Sequence, residues 1–294
     1  MRAILSAAAV GLALLTGGFS SIYAQQTPTP VVAASPYTYA DIADLATMAP
    51  MTIHGRIYTT ATLKPEQAPG LKPGQARLYV EADVVSLIRG SGPLAARINY
   101  LVDLPLDAKG KAPKLRKKQP VLIFARPVTS GAAGTSSTAA VRLVAPDAQL
   151  GWDPATEDRL RAILTELVKP GAPPAITGIA NGFHVPGTLP GEGETQLFFD
   201  TKTGEPVSLT ILTSADGSRR WAAAFGEIVD ASAAVPARDT LAWYRLACGL
   251  PRTLPLAKLG GTAPEDRQKA ASDYGVVLGA LGDCTRTRTP PSGS

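Results

Sequence analysis

ARLYVEADVVSLIRG, Ala76 to Gly90, alternates apolar and polar side chains over most of its length. Leu78, Val80 and Ala82 share one face, and Val84 continues it. Successive side chains of an extended chain point to opposite faces, so a period of two reads as a strand with one buried side. The neighbours repeat this reading. Upstream, MTIHGRIYTTATL (51–63) alternates less regularly because of Gly55, which marks a strand with a bulge. The Pro/Gly-rich segment 64–75 joins the two. Downstream, a turn at 91–93 leads to a strand ending at Pro105, and VLIFARPV (121–128) is another. GAAGTSSTA (131–139) reads as a flexible turn, and 141–152 starts as a strand and ends in a turn.

Between the strands at 94–105 and 121–128 lies a basic run. It carries Lys109, Lys111, Lys114, Arg116, Lys117 and Lys118, with Gly110 and Pro113 opposing regular structure. The expectation is a long hairpin connection whose cations stay hydrated. In the functional reading the same six attract an anionic polymer or partner. No aromatic side chain interleaves with the lysines, which argues against stacking on nucleic acid.

Helices have clear signals of their own. SPYTYADIADLATMAP places Ile42, Leu45 and Met48 on one face before Pro50. Asp153 can cap a helix with Pro154 in its first turn, and Leu160, Ile163, Leu164 and Leu167 form its apolar stripe up to Pro170. After a linker at 169–175, strands are expected at 176–187, at two stretches within 194–214, and at 218–231. Two helices follow, at about 240–248 and within 263–284. Each carries one of the two cysteines, Cys248 and Cys284. One bridge between them is expected in an exported chain, with two buried thiols as the competing reading.

The fold class expected is α+β. It is mainly antiparallel β, a barrel or sandwich in one or two β units, with a connecting helix and a C-terminal helical pair. Strand lengths in 51–150 admit a small barrel that binds oligonucleotide or oligosaccharide, and spacing does not separate it from a sandwich. The βαβ rhythm is absent. The organisation expected is a signal peptide at 1–24, leader and short helix at 25–50, β unit plus helix at 51–168, β unit plus disulfide-linked helices at 175–284, and a disordered tail at 285–294. Arg2, the apolar run after it and the small residues up to Ala24 have the form of a secretory signal. No later stretch is apolar enough to span a bilayer, and a net charge of +5 over 294 residues does not imply nucleic acid.

Chemical motifs are sparse. The two histidines, His54 and His184, are far apart, so no metal site is expected from ligand spacing. No G-x-S-x-G elbow and no nucleotide-binding glycine motif in a βαβ context occurs, and no cofactor is expected. His184, followed by Glu192 and Glu194 in a glycine-rich segment, is the candidate acid–base centre. Asp147, Gln149 and Trp152 read as turn and helix anchors before a sugar site, and Trp221, Trp243 and Tyr244 read as core under the C-terminal helices. The function expected is a periplasmic or secreted envelope protein that binds a protein partner or an anionic surface polymer. The alternative is a hydrolase using His184 with Glu192 or Glu194.

Overall fold

A computed structural model describes residues 35–91, 94–128, 138–226, 233–260 and 263–288. The expected signal segment, most of the leader, most of the 131–139 turn and the chain after Arg288 lie outside the described residues. Among those described, the fold is mixed α+β, with two sheets and four α-helices.

The first sheet contains β1 (Met51–Thr62), β2 (Gln75–Arg89), β3 (Arg97–Pro105), β4 (Pro120–Pro127), β5 (Thr138–Leu143) and β6 (Gln149–Gly151). Its order is β1-β2-β3-β5-β4-β6, and β1 also pairs with β4. The ladder therefore returns to its starting strand. Leu78, Val80 and Ala82 are buried, as the alternation of Ala76–Gly90 requires. The shift of register between His54 and Gly55 is the expected bulge. A Cβ on Gly55 would sit 3.1 Å from Ile123 Cδ1 and 3.3 Å from the Asp83 carbonyl oxygen, so the approach of β2 and β4 to β1 leaves little room there.

Two expectations about this sheet are corrected. β3 and β5 run parallel, so the sheet is mixed and not purely antiparallel. The basic segment after Pro105 is not a hairpin, because β5 lies between β3 and β4. It is a crossover tied down at its end, where Lys118 donates its N–H to the Ile57 carbonyl and the Gln119 carbonyl accepts from Ile57 N–H.

The second sheet is antiparallel, in the order β10-β9-β8-β7. It is built from β7 (Ile176–Pro186), β8 (Gly193–Thr201), β9 (Val207–Thr213) and β10 (Arg219–Phe225). The helices are α1 (Tyr39–Met48), α2 (Pro154–Leu167), α3 (Leu241–Gly249) and α4 (Pro264–Leu281). α2 starts as its sequence requires, with the Asp153 side chain accepting from Thr156 N–H. α1 is capped by Thr38 in a reciprocal box with Asp41. α4 lies against β7, β8 and β10, while α3 touches α1, α2 and α4. One apolar cluster runs through both sheets and all four helices. Trp243 and Tyr244 are part of it, and Trp221 packs against it half-buried.

Cys248 and Cys284 form the expected disulfide, with Cα atoms 5.2 Å apart. Of the tail expected at 285–294, the described residues Arg286 to Arg288 are held by hydrogen bonds, and the remainder lies outside the described residues. Arg286 donates to Asp44 at 2.6 Å, Thr287 Oγ1 donates to Asp41 at 2.6 Å, and Arg288 donates to Asp147 at 2.6 Å. Burial pushes the Asp41 carboxyl up. Hydrogen bonds from the Thr287 side chain, the Arg288 and Thr287 backbone and Thr38 outweigh it and hold the group below its ordinary value.

Two outcomes follow. The bridge spans 36 residues, so Cys248→Ala/Cys284→Ala loses about 4 kcal/mol in the chain-entropy account, readable as a lower denaturant midpoint. A carboxyl depressed in the fold stabilises above its unfolded pKa of about 4, and that contribution is lost as pH falls through the lower folded value. Asp41→Asn therefore costs roughly 1–3 kcal/mol at neutral pH and flattens the acid limb of stability against pH. An unaltered acid limb in urea titrations would remove Asp41 from that role.

Candidate functional site

The antiparallel register of β7 and β8 sets His184 opposite Thr195, both on the face beneath α4. α4 buries Ala270, Asp273, Tyr274, Val277 and Leu281, and so brings one acid into an apolar stripe. Thr195 donates its hydroxyl to Asp273 at 2.6 Å. With that proton committed, the 2.9 Å contact between His184 Nδ1 and Thr195 Oγ1 has the imidazole N–H as donor. His184 Nε2 then carries the lone pair in the neutral ring. This nitrogen is buried without a partner, and a Cβ placed on Gly193 would come within 2.6 Å of it. Arg219 Nε sits 2.7 Å from the other oxygen of Asp273 and balances its charge. The side chains of His184 and Asp273 are 3% and 2% exposed, so the chain is closed to solvent.

The two glutamates expected beside His184 are placed differently. Glu194 pairs with Val185 and so faces away from His184, and its carboxylate accepts from Gln196 at 2.6 Å. Glu192 closes the β7–β8 turn, accepting from Leu189 N–H at 3.3 Å. The acid brought to His184 is Asp273, which the sequence reading passed over. An acid within the stripe 270, 273, 274, 277 of a helix was the available signal.

His54 has a different setting. Its ring stacks on Trp152 with centroids 4.6 Å apart, and Nδ1 lies 3.4 Å from Glu157 Oε2. The Trp152 indole N–H also donates to Glu157, which anchors the start of α2 as expected. Burial makes His54 harder to protonate, while Glu157 opposes that shift. Tyr100 donates its hydroxyl to Gln149 at 2.6 Å, and Asp147 is held by Arg288, so both polar residues are engaged within the fold.

All six cations of the basic segment are exposed. Asp107 Oδ1 accepts from the N–H groups of Lys109 and Lys111, and Leu115 packs on the core, so the segment is ordered locally. Lys117 Nζ lies 5.2 Å from the centre of the Tyr58 ring.

A groove of about 650 Å³ crosses β2, β3 and β5 on the outer side of the first sheet. Tyr79, Asn99, Leu101 and Val128 line it together with Arg77, Arg126 and Arg142. Leu101 and Val128 are each 46% exposed. Arg77 grips Asp103 through Nε at 2.6 Å and Nη2 at 2.7 Å, and this pairing holds its guanidinium charged. The Tyr79 hydroxyl donates to Glu81 at 3.1 Å; burial and then Glu81 raise its pKa. Among the described residues there is no cluster of three or more metal-ligating side chains, and no helix is long and apolar enough to cross a membrane. Comparison with protein-family models finds no match, and comparison with curated proteins finds none.

The buried chain has a mechanical signature. Thr195→Val keeps shape but leaves His184 Nδ1 without its acceptor, at a cost of roughly 1–3 kcal/mol. Gly193→Ala costs a similar amount, because its methyl would overlap the imidazole. Urea unfolding measures both, and imidazole proton shifts that stay native in both variants would discard the arrangement.

Proposed function

We propose that the protein is an exported binding protein, periplasmic or secreted, that recognises an extended envelope ligand on the outer face of β2, β3 and β5. The observation that carries this reading is the groove, where exposed apolar side chains lie beside an aromatic ring, an amide and cations. Ligand sites are concave, largely apolar and carry a few convergent polar groups. We read the circuit β1-β2-β3-β5-β4-β1 as a small closed barrel. In five-stranded barrels of this kind the second and third strands form a face suited to oligonucleotides or oligosaccharides. Export is supported by the form of residues 1–24 and by the paired cysteines, which persist in oxidising compartments. The cations Lys109 to Lys118 add attraction that salt screens.

A second reading, a hydrolase with His184 as base, is favoured by the ordered path from Asp273 through Thr195 to the imidazole. That path sets the tautomer a base needs, with Nε2 as acceptor. Its free nitrogen rests against Gly193, so this reading also requires the β7–β8 turn or α4 to move away. Glu192 or Glu194 would join only through such a movement.

Titration of isotope-labelled protein with neutral and acidic oligosaccharides separates the two. The binding reading expects amide shifts centred on Tyr79, Asn99 and Leu101. Shifts confined to residues 109–118 or to the β7–β8 turn would defeat it. Turnover of ester or glycoside substrates that vanishes in His184→Gln would establish the hydrolase instead.

A further inference from the structure

Within the groove, β4 and β5 set Arg126 directly opposite Arg142. Directly opposed residues in an antiparallel pair keep their Cβ atoms about 5 Å apart, and like charges in that position repel. Both side chains are exposed and line the groove. Among the described residues neither has a hydrogen-bond or ion-pair partner. On the neighbouring β2 and β3 the charged side chains have partners: Arg77 pairs with Asp103 and Arg97 with Asp83, Glu81 accepts from the Tyr79 hydroxyl, and Arg89 donates to the Ala46 carbonyl. Two adjacent guanidiniums without a counter-charge, beside an apolar groove, are arranged to receive an anion from outside the chain.

We propose that Arg126 and Arg142 form a clamp for the acidic substituents of an anionic oligosaccharide lying along β2, β3 and β5. Guanidinium forks match the geometry of carboxylate and sulfate oxygens, and a bound anion relieves the repulsion between the two cations. Tyr79 and Leu101 offer a floor for sugar rings, and Asn99 supplies both a donor and an acceptor for hydroxyls. A single-stranded nucleic acid fits less well. Base stacking needs successive exposed aromatic faces, whereas of the two tyrosines in the groove Tyr100 is only 3% exposed. This inference rests on the groove being the binding face.

Calorimetry on the full mature chain at low salt tests it with four probes: tetragalacturonate, a heparin-derived tetrasaccharide, neutral cellotetraose and an eight-nucleotide oligothymidylate. The acidic tetrasaccharides are expected to bind, the first alone if carboxylate is the preferred group and the second more tightly if sulfate is. Arg126→Ala and Arg142→Ala should each raise Kd on the order of tenfold, as loss of a charge-assisted hydrogen bond does. Lys202→Ala, which removes one exposed positive charge from the turn between β8 and β9 on the second sheet, serves as the charge-matched control and should retain the affinity. Without ligand, each arginine variant should melt no lower than the parent, which excludes misfolding as the cause. Acidic probes that fail to bind, or that bind both variants as tightly as the parent, overturn the clamp. Tighter binding of oligothymidylate overturns the choice of ligand. Cellotetraose binding that shifts Tyr79 and Asn99, with both variants silent, overturns the clamp and keeps the face; binding mapped elsewhere removes both.

Discussion

The double pairing of β1 organises the first half of the molecule. Its residues from Met51 to Arg56 pair with β4, while Thr52 to Thr62 pair with β2. A strand hydrogen-bonded on both sides has no free edge. Met51 to Gly55 are all buried because both faces are covered: Met51 and Ile53 lie in the apolar cluster, while His54 stacks on Trp152 beside α2, which is why the alternation of MTIHGRIYTTATL looks irregular in sequence. The circuit must also bend, and the register shift at His54/Gly55 takes up that bend where a side chain at 55 would meet Ile123. With β1 committed to both neighbours, β3 can close the circuit only onto β5, and it does so in the parallel sense. The outer face of β2, β3 and β5, and with it the groove, is a consequence of that closure.

Buried charge is the second constraint. Asp41, Asp103 and Asp273 are nearly inaccessible, and each is met by several donors. A buried carboxylate left unpaired would cost several kcal/mol. The partners come from remote parts of the chain: Thr287 reaches Asp41 across 246 residues, and Thr195 reaches Asp273 across 78. The disulfide places the chain after α4 beside α1, within reach of Asp41 and Asp44. The cross-link and the polar contacts therefore act together, one limiting where the terminal segment can go and the others fixing its register.

Local signals were legible wherever the physics is local. Alternation in Ala76–Gly90, the Asp153-Pro154 start of α2 and the single cysteine pair all correspond to what the chain does. What escaped the sequence is what depends on pairing at a distance. The crossover at 106–119 resembles a hairpin because its flanks are strands, and only the insertion of β5 tells otherwise. The docking of 285–288 looks like a polar tail because its partners Asp41, Asp44 and Asp147 are far away in the chain. His184 was legible as a polar residue worth watching. Its acid was not, since proximity in sequence favoured Glu192 and Glu194 while strand alternation turns Glu194 to the opposite face.

The same reasoning separates the two polar centres by what their charges already do. Around His184 every charge is answered inside the fold: Asp273 by Arg219 and Thr195, and Nδ1 by Thr195. Such a closed set holds α4 on its sheet and leaves only Nε2 without a partner. The outer groove is the reverse case. Arg126 and Arg142 were drawn together by the register of β4 and β5, yet nothing in the described chain answers them. Folding alone gains nothing from opposing two cations across a strand pair, and a single arginine-to-polar change at either position would relieve the repulsion without touching the core. Under the proposed clamp, such a pair costs the free protein and helps only when an anion arrives, whereas the hydrogen bonds of the histidine cluster already tie α4 to the second sheet.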